Sequence, residues 1–567
     1  MKILLIYPSF LEERIDKEDI EAVPIGLFYI GAVLKDSGYD VEILNWHDIH
    51  KSPEKIREVL VSKNPDVIGF SIVHANRWGG IEIARIARQL NSGVKIVFGG
   101  IGATFLFEHL LSNFEEIDFC VLGEAEYSFL QLVRWLEKKE EIVDPTISGI
   151  AYRKQGKIVC SRQSEFIKNL DDLPDPAPYF TFQHVSLSRG CPGKCTFCGS
   201  PQFWKHRVRF HSAKYFVDQL ERLYQKGVTF FYVSDDTFAL KKALAIEVCE
   251  EICRRKLLIS WAAICRVADI NEEILYRMRK AGCVQISYGI ESGSEKIRKL
   301  LNKPLKNEHI KKVFDLTTAY GILPRAYFIY GCPGESRETI EETIALIREI
   351  KPLAAIFYIL DIFPGTALYE DWKEQKIISD DVWKKKIEDI LFFEKDQNLT
   401  QDQVLAFGKM LRHSFYKGLP DFVDAIGLKD QKDLYVYHSD FLSRLAMTFS
   451  HGDYSLIEEI ERSDDIAFKL YERALLYYPD HRAFLGLGII CQKKGLYEKS
   501  LDFLARGLSY YPASEPLNIC YGISLMNMEK FELALAVFEK FPNSAQAKAF
   551  RVSCQEAVRR KNSDGWN

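Results

Sequence analysis

No run of about 18 apolar residues occurs in the 567-residue chain, so no segment is long enough to cross a bilayer as a helix. Nor is a secretory leader expected. The start, Met1-Lys-Ile-Leu-Leu-Ile-Tyr7-Pro8, turns acidic by Leu11-Glu-Glu-Arg-Ile-Asp16, and no small-residue cleavage site follows. Neither sign of charge dominates: the formal net charge is −4, with no basic tail or stripe to track nucleic acid. The cysteines, 13 in number and scattered, do not make the framework of a secreted disulfide protein. Cys120, Cys160, Cys249, Cys253, Cys265, Cys283, Cys491, Cys520 and Cys554 read as buried thiols, and the expected location is a reducing cytoplasm. The length and ordinary composition leave a globular chain of about three domains.

One stretch concentrates the chemistry. Ser188-Arg-Gly-Cys191-Pro-Gly-Lys-Cys195-Thr-Phe197-Cys198-Gly199 places three thiols within eight residues, after an apolar run. A loop of this size wraps three thiolates around three corners of a cubane iron–sulfur cluster and leaves one iron open to a small molecule. The alternative is a zinc knuckle. Structural zinc takes four ligands, often as two CxxC pairs; no second pair follows, and His206 and His211 lack paired-ligand spacing. The CxxxCxxC spacing, with an aromatic before its last cysteine, resembles the radical S-adenosylmethionine (radical SAM) superfamily. That resemblance implies a 4Fe-4S cluster on Cys191, Cys195 and Cys198, with S-adenosylmethionine chelated at the open iron and Phe197 beside it.

Residues 1–150 alternate strand and helix: Lys2–Tyr7, Tyr39–Asn45, Asp66–Ser71, Lys95–Gly100 and Phe119–Gly123 are apolar runs with helical patterns between them. Five such strands predict an α/β, flavodoxin-like doubly wound parallel sheet, whose ligands bind at the carboxyl ends of the strands. No GxGxxG follows the first strand, which argues against a dinucleotide. Pro24-Ile-Gly26, Ser71, the Gly99-Gly100 turn and Gly123-Glu124-Ala-Glu126 resemble the cobalamin-binding domain found upstream of many radical SAM enzymes. The resemblance implies corrin contacts at Ser71, Gly99, Gly100, Gly123 and Glu124. The DxHxxG motif that supplies an axial histidine is absent, since Tyr7-Pro-Ser-Phe10 stands in its place. His47, His50 and His74 read as surface or hydrogen-bonded residues. A flavodoxin-like domain that has lost its cofactor is the alternative for this segment.

Asp171-Asp-Leu-Pro-Asp-Pro-Ala-Pro178 lies in an expected linker, residues 151–180, before the strand–helix rhythm resumes over 181–395. Six units are expected there, the number of a (βα)6 partial barrel, with chemistry at the strand C-termini. The residues at those ends resemble the superfamily's S-adenosylmethionine contacts in order. Asp235 and Asp236 match the element for the methionine amino group, one of the pair serving only as a helix cap. Arg266 stands where the carboxylate would be met, or forms a structural ion pair. Glu291 and Ser292 match the ribose element, and Gly331-Cys332-Pro333-Gly the backbone motif around adenine. Cys332 reads as a small hydrophobe in place of the usual aliphatic residue, or as a hydrogen donor.

Residues 396–460 read as a helical connector. Over 461–550, Tyr-Tyr-Pro recurs at Pro479 and Pro512, 33 residues apart, with Gly488, Gly495, Gly507 and Gly522 at offsets that resemble tetratricopeptide helix hairpins. Such repeats offer a surface for a protein partner or merely pack on the core. Taken together, the resemblance implies a cobalamin-dependent radical SAM enzyme, most often a C-methyltransferase. A 5′-deoxyadenosyl radical would activate an unactivated carbon of a small-molecule or peptide substrate, and an external electron donor (a flavodoxin or ferredoxin) would be needed. Cyclisation, rearrangement or oxidation without methyl transfer, and a non-catalytic metal-bearing scaffold, are the alternatives.

Overall fold

The computed structural model describes residues 1–9, 23–46, 52–138, 147–162 and 164–564. His47 and His50 lie outside the described residues. Two compact units are distinguished, residues 1–310, 326–346 and 355–411 in one and 311–325, 347–354 and 412–567 in the other.

The first unit begins with the expected sheet. Strands β1 (Lys2–Tyr7), β2 (Asp40–Asn45), β3 (Val67–Ser71), β4 (Lys95–Gly99) and β5 (Phe119–Val121) lie in the order β2-β1-β3-β4-β5, all pairs parallel. Helices α1 (Ile25–Asp36), α2 (Pro53–Lys63), α3 (Arg77–Leu90), α4 (Gly100–Asn113) and α5 (Glu126–Lys138) alternate with them. β1 and β3 are apolar on successive residues because helices cover both faces of the sheet. α2 shows the local logic of a boundary: the Ser52 hydroxyl accepts from Lys55 N (3.3 Å), Pro53 opens the helix, and Asn64 closes it in the left-handed conformation.

The expected domain end at residue 150 falls inside this sheet. β6 (Ile150–Lys154) and β7 (Lys157–Cys160) form an antiparallel hairpin that extends it beyond β5. The segment expected as a linker from 151 is therefore strand as far as Cys160, and the Pro- and Asp-rich stretch follows. Cys160, ending this edge hairpin, and Cys253, in the helix Lys242–Arg254, are exposed rather than buried.

The second sheet of this unit orders β15-β14-β13-β12-β11-β8, from strands β8 (His184–Val185), β11 (Phe230–Val233), β12 (Ser260–Cys265), β13 (Cys283–Glu291), β14 (Leu323–Tyr330) and β15 (Ala354–Ile359). β8, β11, β12 and β13 pair in parallel. Six strands in one open sheet make the partial barrel expected. The first differs in detail: after Val185 the chain leaves the sheet, and β9 (Ser188–Arg189) pairs antiparallel with β10 (Arg209–Phe210). Helices α6 (Ser200–Phe203), α7 (Ala213–Gln225), α8 (Lys242–Arg254), α9 (Glu272–Lys280), α10 (Glu295–Leu300), α11 (Asn307–Ala319), α12 (Arg337–Ile350) and α13 (Ala367–Glu374) complete the α/β alternation. The two sheets are not separate bodies. A continuous apolar core runs from Ile68, Phe70 and Phe98 to Leu301, Ile362, Tyr369 and Trp383.

The other unit is chiefly helical. After α14 (Gln401–Asp424) and α15 (Tyr435–Ser450) come α16 (Ser463–Tyr477), α17 (His481–Lys493), α18 (Tyr497–Tyr510), α19 (Glu515–Asn527), α20 (Phe531–Phe538) and α21 (Ala545–Asp564), each packed on the next. Glycines set the close approaches. A Cβ on Gly488 would stand 2.6 Å from Leu504, and one on Gly522 2.6 Å from Phe538.

Candidate active site

The cluster loop is held from outside by backbone. Thr196 N donates to Leu301 O (3.1 Å), Leu368 N donates to Thr196 O (3.0 Å), and the Asn302 amide donates to Lys194 O (2.7 Å). Gly190 enters the loop at φ +107°, and a Cβ there would lie 2.1 Å from Arg207 O, so only glycine fits. Cys191, Cys195 and Cys198 are half-buried, and Gly193 N donates to Cys191 Sγ (3.4 Å). Burial pushes all three thiols up, Cys198 to about 12, and for Cys198 the charges of Asp236 and of the other two sulfurs push the same way. Three converging thiolates are unfavourable without a cationic centre among them. The donor set, and the N–H bound to sulfur, fit an iron–sulfur cluster with three protein ligands.

Around the loop the strand-end residues divide by role. Asp235 is buried; its carboxylate accepts from Leu187 N (2.9 Å) and from the Ser188 hydroxyl, and burial lifts it to about 7. It is spent on fixing the strand that leads into the loop. Asp236 is exposed to the cavity described below, with the Ser200 hydroxyl donating to it (2.6 Å). Arg266 is partly exposed, its nearest carboxylate being Asp269 at 3.4 Å.

Glu291 sits at φ +66°, a conformation that a glutamate adopts only where the surroundings enforce it. Its buried carboxylate is paired with Lys303, which the sequence reading missed. Burial works against the lysine's charge, but Glu291 outweighs it and raises the ammonium above its ordinary value. Gly289 makes room for this pair, because a Cβ would lie 2.5 Å from Lys303 Nζ. Ser292 is placed differently from expectation: its hydroxyl is buried against Thr343 (Oγ to Oγ 3.2 Å) and accepts from Ser294 N (3.1 Å). Gly331 turns at φ +75°, and the Glu335 carboxylate, lifted by burial to about 7, accepts from Gly331 N and Cys332 N. Pro333 is half-buried beside this turn, Cys332 is fully buried, and Phe197 packs against the continuous core.

At the first sheet, Ser71, Gly99, Gly100, Gly123 and Glu124 come together at the strand ends and line one cavity of about 290 Å³ that opens to solvent. Its walls are apolar on the sheet side (Leu5, Val97, Val121, Phe129), and it reaches Ser234 and Asp236 at the second sheet. The glycines do different things. A Cβ on Gly26 would meet nothing within 4 Å, and on Gly123 only Ser164 Oγ at 3.8 Å, so both leave the cavity open. Gly100 and Gly102 instead carry close packing: a Cβ on Gly102 would lie 2.6 Å from Val73 C and 2.8 Å from His74 N. An apolar, glycine-bordered cavity that opens to solvent fits the face of a planar cofactor such as a corrin.

Glu124 lines the cavity, but its carboxylate is engaged. It accepts from Arg189 (2.8 Å), Arg209 (2.7 Å) and Ile167 N (2.8 Å), while Arg189 also pairs with Glu126 (2.7 Å) and lies over the Tyr29 ring. Arg189 precedes the cluster loop by two positions, so this buried two-plus, two-minus network ties that loop to the end of β5. Beneath it Tyr29, His211 and Asp171 form a chain (3.2 and 3.1 Å), with burial pushing His211 down to about 4. Across the site His74 joins the two sheets: its Nε2 lies 2.8 Å from Asp361 and 3.4 Å from Asp389, and its ring stacks on Phe363. Burial alone would lower His74, but the two carboxylates lift it to about 9. Neither network was legible in advance, although Arg189 stands inside the motif itself.

Comparison with known proteins agrees with this geometry. The radical SAM superfamily model matches residues 185–347, and the B12 binding domain model matches 19–133. An uncharacterized methyltransferase of Pyrococcus horikoshii is 30% identical over 431 residues, covering 73% of this chain and 92% of the relative. The anaerobic magnesium-protoporphyrin IX monomethyl ester cyclase of Rubrivivax gelatinosus is 29% identical over 389 residues, 65% of this chain and 70% of the relative. Among solved structures, the radical S-adenosylmethionine methyltransferase TsrM of Kitasatospora setae, with cobalamin and a [4Fe-4S] cluster bound, superposes with a TM-score of 0.61. That match is 16% identical and covers 84% of this chain and 100% of the other.

Proposed function

The chain belongs to the radical SAM enzymes that carry a B12-binding domain, and we propose that it is a methyltransferase acting on an unactivated carbon of a small-molecule or peptide substrate. The family's cofactors are a 4Fe-4S cluster, S-adenosyl-L-methionine and cobalamin. Bound together, they supply a reductively generated 5′-deoxyadenosyl radical and a transferable methyl group. The observation that carries the reading is the single cavity. It runs from the glycine-bordered strand ends of the first sheet to Asp236 and Ser234 at the second, so a methyl carrier and a radical source would face the same space.

In this reading Cys191, Cys195 and Cys198 hold the cluster. Asp236 accepts from the methionine ammonium of S-adenosylmethionine, and Arg266 donates to its carboxylate. Glu291, oriented by Lys303, accepts from ribose hydroxyls, and the Gly331–Pro333 turn borders adenine. Asp235 and Ser292 act one step back, holding the backbone from which these groups project. Ser71, Gly99 and Gly123 border the corrin. Glu124 acts through Arg189, setting the cluster loop against that border rather than bonding the corrin itself. The apolar walls exclude water from a reactive carbon-centred species.

The same assignment includes an external one-electron donor, a cytoplasmic setting, and tetratricopeptide-like helix pairs in the C-terminal unit as a surface for a protein partner. No helix among the described residues is long and apolar enough to cross a membrane. A second reading rests on the cyclase relative: radical chemistry in the same cavity without methyl transfer. Product mass separates the two. With labelled methyl-S-adenosylmethionine, the main reading predicts product heavier than substrate by one labelled methyl group; an unlabelled product of altered oxidation state would replace it with the second.

A further inference from the structure

Three metal-ligating side chains meet where the two sheets of the first unit join, apart from the three cysteines. His74 stands in the loop after β3, Asp361 just beyond the end of β15, and Asp389 in the segment that follows α13. One donor atom from each lies within 4.8 Å of the other two. His74 Nε2 is 2.8 Å from Asp361 Oδ2 and 3.4 Å from Asp389 Oδ1. Around a dication with bonds of about 2.1 Å, neighbouring ligand atoms stand about 3.0 Å apart in an octahedron and about 3.4 Å apart in a tetrahedron. The histidine-to-aspartate spacings therefore match those of a coordination shell.

Each donor is also positioned by contacts outside the trio. Asp361 bridges Leu391, Ile362 N donates to Ile390 O (2.8 Å), Phe392 N donates to Leu360 O (2.9 Å), and Ile390 N donates to Asp361 Oδ1 (3.3 Å). This short antiparallel pairing sets the two aspartates side by side. The His74 ring lies flat on Phe363 (4.6 Å between centroids, 2° between planes), and the His74 carbonyl accepts from Arg77 (2.7 Å). Side-chain exposures of 13% for His74 and 19% for each aspartate leave a path for an ion and its waters. Charge balance points the same way. Arg77 is buried within the field of Asp389 and of buried Glu388. Among these five groups, a proton on His74 leaves one negative charge over, whereas a dication on neutral His74 leaves none.

We propose that His74, Asp361 and Asp389 bind a hard first-row dication such as Mn²⁺, which clasps the two sheets together. One imidazole and two carboxylates, with waters completing the shell, suit such an ion. When it enters, the ion takes the place of the proton on His74, which passes to water. None of the three ligands lines the cavity, so the ion takes no part in the reaction. Its reach toward the cluster loop is through Phe363, which a Cβ on Gly199 would meet at 3.2 Å.

The test uses the full chain, freed of metal by a chelator and titrated with Mn²⁺ alone. Free Mn²⁺ is read by electron paramagnetic resonance; thiolates are poor ligands for it, so the three cysteines do not compete. Wild type should bind about one Mn²⁺ per chain, show nitrogen hyperfine coupling from the imidazole, and unfold at a temperature that rises with Mn²⁺ concentration. D389N should weaken Kd about tenfold or more and lose that rise, while C191A keeps both. If D389N fails to fold, D361N takes its place. No bound Mn²⁺ in wild type, a bound ion without nitrogen coupling, or equal affinity in the aspartate variant would overturn the site.

Discussion

His74 makes a prediction that can be worked through from the structure. It is one of the few side chains that join the two sheets by charge, and its ring is only 13% exposed, so bulk water does little to screen it. The rise from an ordinary histidine value near 6.5 to about 9 corresponds to about 3 kcal/mol of stabilisation by the charged form. The sign follows from the direction of the rise. The folded value lies above the unfolded one, so this stabilisation is complete below about pH 6.5 and is lost as pH climbs through about 9. The perturbation is His74→Gln, which keeps the size of the side chain and removes the titration. Urea unfolding, followed by tryptophan fluorescence and repeated from pH 6 to 10, gives the stability of each protein. Trp383 lies edge-on to the His74 ring at 5.8 Å and reports this region directly. Wild type should exceed the variant by about 3 kcal/mol at pH 6, and the two curves should converge by about pH 10. A gap that stays constant with pH, or no gap at any pH, would show that the two aspartates do not hold a charged His74.

Other outcomes follow from the same contacts. Asp235→Asn should cost about 1–3 kcal/mol of stability, since the amide cannot accept from both Leu187 N and Ser188 as the carboxylate does. Asp236→Asn should leave the unfolding curve in place and weaken binding of S-adenosylmethionine in equilibrium dialysis; the reverse pattern would exchange their roles. Gly102→Ala places a Cβ 2.6 Å from backbone, so it should destabilise by about 1–3 kcal/mol and lower cobalt retained after desalting, whereas Gly26→Ala, with nothing within 4 Å, should leave stability unchanged in the same unfolding assay. Glu124→Gln leaves Arg189 and Arg209 short of a buried partner and should cost about 3 kcal/mol or more. A variant as stable as wild type in thermal unfolding would show that Glu126, paired with Arg189, and the Ile167 carbonyl, which accepts from Arg209 (2.7 Å), suffice.

The parallel strands were legible because they are buried on both faces and therefore read as unbroken apolar runs. The order of motifs, one at each strand end, carried the site in the same way. What the sequence reading missed lies in long-range pairings and in short polar elements. His74 and Asp361 are 287 positions apart, and nothing local marks either as half of a pair. Asp235 and Asp236 are neighbours of one type, separated only by the direction in which each side chain leaves the strand end. Glu124 was matched by its motif, yet its partner is an arginine in another motif. The hairpin of β6 and β7 was passed over as linker because its strands are short and charged. Its signal was the turn Gln155-Gly156, both at positive φ (49° and 78°), the conformation that twisted two-residue hairpins require.

The central claim is that three cysteines and the glycine-bordered cavity serve one radical reaction. Its most direct test is metal content and cleavage on anaerobically purified protein, reconstituted with iron, sulfide and cobalamin and then given dithionite and S-adenosylmethionine. The account predicts about four irons and one cobalt per chain together with release of 5′-deoxyadenosine, and loss of the iron in Cys191→Ala, Cys195→Ala or Cys198→Ala. Zinc in place of iron, with S-adenosylmethionine left intact, would contradict it.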